Sequence, residues 1–179
     1  MEESFDQYLN RRAKGRVGRG IISQNAFLDF EDEVLTFPLW SFTGQMIGYQ
    51  QHQWKSDKKK RNDSKGRYWT YHKKEVVPVW GLEFYNQYKD LYIVEGIWDA
   101  ISCINVGLNC IAVLTNNPKH LKNLFFCLPN RKIALCDGDK AGKILSKSCN
   151  DAIILPEGKD VNDLSGDELK GIVNGKFND

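Results

Sequence analysis

Apolar positions along this 179-residue chain follow two different patterns. In the first half, short apolar runs are broken by turn residues. Val34–Trp40, the Thr43-Gly44 turn and residues 46–50 predict a β-hairpin. Residues 67–71 continue the ordered pattern, and 76–82 form another apolar segment in which Pro78 disfavours a central strand. In the second half, strand-like and helix-like segments alternate. Leu91–Val94, 110–114, Lys132–Cys136 and 152–155 predict strands, and 98–106, 120–127, 141–149 and 167–173 predict helices. Near-continuous apolar strands joined by helices imply a parallel sheet covered on both faces. Ahead of both patterns, residues 2–13 predict a short helix with Phe5, Tyr8 and Leu9 on one side.

This pattern divides the chain into an N-terminal arm over 1–26, a small β-rich unit over 27–87 and an α/β domain over 88–179. The arm is basic, with Arg11, Arg12, Lys14, Arg16 and Arg19 interrupted by glycines. The composition, 41% hydrophobic and 27% charged, is that of a folding globular chain. No stretch reaches the roughly 20 apolar residues that span a bilayer, and the first residues lack the pattern of a signal peptide, so a cytoplasmic location is expected. The five cysteines include no C-x-x-C pair and are expected to be reduced core thiols. With only three scattered histidines, the sequence offers no zinc ribbon.

The net charge of +2 conceals an uneven distribution. Lys55, Lys58, Lys59, Lys60, Arg61, Lys65, Arg67, Lys73 and Lys74 crowd one segment of the β-rich unit, while the distinctive acids lie in the α/β domain. Cations beside an acidic site suit a polyanion held by positive charge and metal. Trp54, Tyr68, Trp69 and Tyr71 interleave with the cations. They would suit stacking on single-strand bases, although aromatics in a small β unit also build cores.

The acids fall where parallel strands end: Glu95 and Asp99 after the first, Asp137 and Asp139 after the third, Asp160 and Asp163 shortly after the fourth. In open α/β sheets the carboxyl edge of the strands is where ligands bind. Carboxylates crowded there repel one another unless a divalent cation neutralises them. Hard oxygen donors without thiolates or paired imidazoles favour magnesium over zinc. Asp137 and Asp139, two apart in an extended segment, project to the same side, and Gly138 leaves room for close backbone approach. Asp99, four residues after Glu95, returns toward the strand end on the first helical turn.

Val94-Glu95-Gly96-Ile97-Trp98-Asp99-Ala100, Asp137-Gly138-Asp139-Lys140-Ala141-Gly142 and Gly158-Lys159-Asp160-Val161-Asn162-Asp163 resemble, in order and spacing, the three motifs of the Toprim domain. Within that superfamily they look most like bacterial replicative primases and the primase-helicases of phages and mitochondria. Upstream, Phe37 to Gly48 and Val79-Trp80-Gly81-Leu82 are similar to the small subdomain that precedes Toprim in those enzymes. The resemblance implies an α/β fold, a Toprim domain with a mainly parallel sheet flanked by helices, preceded by a small mostly β subdomain.

It also implies roles. Glu95, Asp137 and Asp139 match catalytic positions, and Glu95, Asp99, Asp137, Asp139 and Asp160 match the metal set, for magnesium with manganese as the alternative. Lys65, Arg67, Lys73, Lys74 and Lys140 would contact nucleotide or nucleic acid. The implied activity is that of a DNA primase: a nucleotidyltransferase making short RNA primers from nucleoside triphosphates on single-stranded DNA. It would be phage-like and work with a separate replicative helicase or zinc-module partner, since neither a zinc module nor a P-loop is visible here. Two departures from the family pattern stand out. Asn162 occupies a position where bacterial primases have a second aspartate, and Leu114-Thr115-Asn116-Asn117 lacks the glycine often found after the second Toprim strand. The alternatives are a Toprim metal-dependent nuclease and a non-catalytic Toprim protein that binds nucleic acid or inhibits replication.

Overall fold

The structure, a computed structural model, describes residues 3–12, 26–56, 66–115, 121–138 and 142–177. The chain divides into two compact units at the Pro78–Val79 junction. No helix among the described residues is long and apolar enough to cross a membrane.

The first unit is a four-stranded antiparallel sheet in the order β1-β2-β3-β4, with β1 at Phe27–Asp29, β2 at Val34–Trp40, β3 at Met46–Gln53 and β4 at Tyr68–His72. The hairpin expected between β2 and β3 is present. Its turn closes through Ser41 N to Gln45 O at 2.9 Å and Gly44 N to Ser41 O at 3.0 Å. Gly44 takes φ 75°, a conformation that glycine adopts without steric cost. Pro38 sits inside β2, but β1 pairs only with Val34, Leu35 and Thr36. The half of β2 that carries Pro38 is therefore an edge on that side, where a missing N–H is tolerated.

The segment 76–82 forms no strand; Trp80 alone makes an antiparallel bridge, to Ala112. Helix α1 at Phe5–Arg12 matches the predicted N-terminal helix, and its Phe5, Tyr8 and Leu9 are buried. Phe5 and Tyr8 stack against Trp54, and Tyr8 lies over His52, to which its hydroxyl is hydrogen-bonded. His52 also packs on Tyr68. Burial of the phenol pushes the Tyr8 pKa up to about 12. The basic stretch 13–25 lies outside the described residues.

The second unit is a parallel sheet in the order β6-β5-β7-β8, built from β5 at Leu91–Val94, β6 at Cys110–Ala112, β7 at Lys132–Cys136 and β8 at Asp151–Ile154. Helices α2 at Ile97–Asn105, α3 at Lys122–Cys127, α4 at Gly142–Ser146 and α5 at Gly166–Phe177 alternate with the strands or follow them. Every residue of β5 and β6 is buried, as is β7 from Ile133 onward. That is the expected signature of strands covered on both faces. The α/β fold with a separate antiparallel sheet is thus as the sequence pattern implies. Several helix ends differ by a few residues, as helix termini often do; α5 runs from Gly166 to Phe177 rather than over 167–173.

The loop before β5 is held by buried amides. Asn109 donates to Asn86 O at 2.8 Å and accepts from Asn86 N at 2.8 Å, while Asn130 donates to Asn86 O at 2.9 Å and Lys89 O at 2.6 Å. The cysteines are all free. Cys103, Cys110 and Cys136 are buried, as expected of core thiols, but Cys127 is exposed because it ends α3 on its outer side. Burial pushes the Cys149 thiol up to about 12 and, together with the neighbouring Cys103, lifts Cys110 well above its usual range. Neither would be a thiolate near neutral pH.

Gly48 marks the closest approach between β3 and β4. A methyl group there would fall on the carbonyl oxygen of Tyr71 and lie 2.7 Å from His72 Cα, both backbone atoms that cannot swing away. Gly48→Ala is therefore expected to destabilise the first unit by about 1–3 kcal/mol. Thermal or urea unfolding of the full chain would measure it, and a wild-type midpoint would contradict the packing described.

Candidate active site

The register of the parallel sheet brings the acidic positions to one edge. Leu91, Tyr92 and Ile93 pair with Lys132, Ile133 and Ala134. Two residues after Ile93, just past the end of β5, Glu95 is in step with Cys136, and Asp137 follows directly. Glu95 and Asp137 thus leave the carboxyl ends of adjacent strands, whose spacing is about 4.8 Å. β8 pairs with the other side of β7, Cys136 opposite Ile154, and its chain continues through Leu155 and Pro156 toward Asp160. Glu95, Asp99, Asp137 and Asp160 are all half-buried.

Backbone crowding at this edge explains its glycines. A Cβ at Gly138 would lie 2.5 Å from Pro156 O and 2.6 Å from Leu155 O, so the close approach expected there is made by the chain leaving β8. At Gly142, a Cβ would collide with Asp137 O and Cys136 Cβ. Gly96 caps α2, its carbonyl accepting from Ala100 N at 3.1 Å, and a Cβ there would sit 3.0 Å from Asp99 Oδ2. At Gly138 and Gly142 an added Cβ would meet backbone that cannot swing away, whereas at Gly96 only the Asp99 side chain would have to shift.

Asp99 and Asp160 are oriented by the 3-10 turn Val161–Asp163. Asp160 accepts from Asp163 N at 2.9 Å and Asp163 accepts from Asp160 N at 3.3 Å, a reciprocal cap that commits Asp163 to structure. Asn162 ties this turn to α2. Its backbone N donates to Asp99 Oδ1 at 3.1 Å, and its side-chain Nδ2 donates to Ser102 Oγ at 3.0 Å and Trp98 O at 3.4 Å. Trp98 is buried in α2. The residue that departs from the bacterial pattern is therefore a buried clamp between two of the three acidic segments.

A second departure has a backbone consequence. Leu114, which follows the strand beside Glu95, takes φ 54°, and its N–H donates to Glu95 O at 3.0 Å. This left-handed conformation is costly for a residue with a Cβ and natural for glycine.

Asp139 and Lys140 lie outside the described residues, as does Lys65. Among the described residues no three His, Cys, Asp or Glu side chains converge as a closed metal cage. The donor chemistry nevertheless suits a small hard cation. Glu95, Asp99, Asp137 and Asp160 offer only carboxylate oxygens, and magnesium is commonly held by one or two carboxylates together with water and substrate phosphates. Arg67, Lys73 and Lys74 belong to the first unit. Lys73 and Lys74 are exposed just beyond β4, whereas Arg67 donates from Nε to Ser56 O at 2.9 Å and so holds together the two flanks of the 57–65 segment.

The aromatics grouped by sequence separate in space: Trp54 and Tyr68 pack around α1 and His52, whereas Trp69 and Tyr71 pack with Tyr49. Asn162, Leu114 and Tyr49 were not identified as site-shaping residues from sequence. Leu114 and Asn162 each left a signal, as departures from the family pattern, whereas Tyr49 left none.

No family model matches the chain, and no curated protein matches it. Solved structures do. A DNA primase domain from Pseudomonas aeruginosa is 20% identical with a TM-score of 0.61, covering 90% of this chain and 58% of that one. A DnaG primase catalytic domain bound to single-stranded DNA is 18% identical with a TM-score of 0.59, covering 97% of this chain and 64% of that one. The primase fragment of the bacteriophage T7 primase-helicase is 13% identical with a TM-score of 0.58, covering 79% and 62%. The chain spans less than two thirds of each of these structures. Its fold is that of these primase catalytic cores.

Two outcomes test the geometry of this edge. Asn162→Asp removes the Nδ2 donor and buries a charge beside Asp99, and is expected to lower stability by about 1–3 kcal/mol in denaturant unfolding. At position 114 the usual order of substitutions should invert: Leu114→Gly is expected to be more stable than Leu114→Ala by about 1 kcal/mol, because only glycine relieves the backbone. The ordinary ranking, with alanine the more stable, would show that the left-handed turn is absent.

Proposed function

We propose that this chain is the catalytic core of a Toprim primase, joining nucleoside triphosphates into short RNA primers on a single-stranded DNA template. The observation that carries this reading is the placement of Glu95 and Asp137 at the carboxyl ends of adjacent parallel strands within a fold shared with primase cores. The likeness extends over most of the chain, the antiparallel unit included, which favours a primase over a Toprim nuclease.

In the proposed reaction the 3′ hydroxyl of one nucleotide attacks the α-phosphorus of the next, and pyrophosphate leaves. Glu95, half-buried at its strand end, would take up the hydroxyl proton or serve as a ligand. Asp137, Asp139 and Asp160 would hold the cation. Magnesium or manganese, when bound, supplies polarisation of the phosphoryl oxygens and neutralises charge on the leaving group. Asp99, oriented by the Asn162 N–H, supports that set from the first turn of α2. Lys65, Lys73, Lys74 and Lys140 would attract template and triphosphate by charge, with Arg67 acting chiefly through the carbonyl it already binds. In this reading the chain works with a separate replicative helicase or zinc-module partner.

Purified chain incubated with single-stranded template, labelled ribonucleotides and magnesium, with and without such partners, is expected to make primers. Glu95→Gln and Asp137→Asn should each reduce incorporation by about 10²-fold or more while leaving the fold intact by circular dichroism. Metal-dependent cutting of labelled DNA or RNA without incorporation would instead identify a nuclease.

A further inference from the structure

One face of the antiparallel sheet packs on α1, while the opposite face presents aromatic rings. Cross-strand pairing sets Tyr49 opposite Tyr71 and Gln51 opposite Trp69, all in step on this face. Tyr49 lies 5.5 Å from Tyr71 and 5.6 Å from Trp69, ring centre to centre, and Trp69 lies 6.3 Å from Tyr71. Tyr49 and Trp69 are half-buried and Tyr71 is 56% exposed. Gln51, opposite Trp69, donates to Thr36 at 3.4 Å, and the carboxylate on this face, Asp29 of β1, is taken up by its own turn, accepting from Glu31 N and Asp32 N at 3.0 Å. The solvated face of an antiparallel sheet is ordinarily polar. Cross-strand pairing explains two aromatics opposite one another, but not a third ring beside them in a patch left open.

Charge indicates what covers it. Lys73 follows Tyr71 by two residues, in step with it, and with Lys74 is exposed at the end of β4. In the sequence, the connection between β3 and β4 adds Lys58, Lys59, Lys60, Arg61 and Lys65. Flat π-faces flanked by cations complement a chain that is aromatic in its bases and anionic in its backbone. A duplex would not serve, since its bases are already stacked on one another.

We propose that Tyr49, Trp69 and Tyr71 form a stacking platform for a single-stranded nucleic acid, with Lys73 and Lys74 holding its phosphates. Stacking of this kind tolerates any base. In the primase the strand would be the template, a refinement that rests on the function proposed above, although the platform itself could bind a strand without catalysis.

Binding of fluorescent single-stranded oligonucleotides of different base composition to the full chain tests it. Oligo-dT and mixed sequences should bind within a few-fold of one another and should not be displaced by duplex. Tyr71→Ala and Trp69→Ala are each expected to weaken binding about fivefold or more. Tyr71→Phe should retain it, and Lys73→Ala should reduce the salt slope by about one. If Trp69→Ala unfolds, the exposed Tyr71 pair of variants still decides. Unchanged binding in Tyr71→Ala, or no binding by the wild type, overturns the platform. Primer assays separate this from the catalytic reading. Platform variants should raise the template KM and spare kcat, whereas Asp137→Asn should abolish turnover and spare binding. A chain that binds strands through Tyr71 yet makes no primer would keep the platform and lose the primase.

Discussion

Parallel pairing between β5 and β7 is the constraint on which the candidate site depends. Glu95 follows the end of β5 in step with Cys136, and Asp137 is the next residue after it, so a slip in this pairing would displace one carboxylate along the sheet edge relative to the other. Strands whose residues are buried on both sides leave little room for such a slip. Hydrophobic burial in the second unit therefore also fixes which strand ends carry the two acids. Acids carried on neighbouring strand ends favour the company of a cation or a protonated group.

The remaining acids are positioned by hydrogen bonds rather than by the sheet. Asp160 is anchored by its reciprocal cap with Asp163, and Asp99 by the backbone of Asn162. Because Asn162 also bonds Ser102 and the Trp98 carbonyl, α2 and the turn after β8 cannot separate without leaving buried donors unpaired. Two segments distant in sequence thus move as one piece. The glycines at 138 and 142 complete this by letting backbone lie directly on backbone.

Much of this arrangement was legible in the sequence because it is local. Apolar runs such as Ile133 to Cys136 announce buried strands, and an acid placed directly after such a run falls on the carboxyl edge whatever the rest of the chain does. The close approach at Gly138 was also foreseeable. What escaped depends on partners far along the chain. Nothing adjacent to Asn162 shows that it will reach Ser102. Alternation along β4 separates Tyr68 from Trp69 and Tyr71, but which of the two faces meets α1 depends on partners far along the chain, which the sequence leaves open. Trp80 sits near the β-rich unit in sequence yet bridges to Ala112, because the second unit supplies it with a strand edge. Leu114 lies between these extremes, since its missing glycine was visible but its left-handed backbone was not.

The clasp around the lysine-rich segment has a consequence of a different kind. Gln53 N bonds to Arg67 O at 2.9 Å and Arg67 Nε to Ser56 O at 2.9 Å, so the two flanks are joined before the segment between them begins. Lengthening a connection whose ends are already held costs little, because closure entropy grows only slowly with length. The sheet is in effect insulated from whatever the connection carries. Evolution, or a protein engineer, can rewrite its charge and length as a separate module while the aromatic face and the carboxylate edge keep their shape.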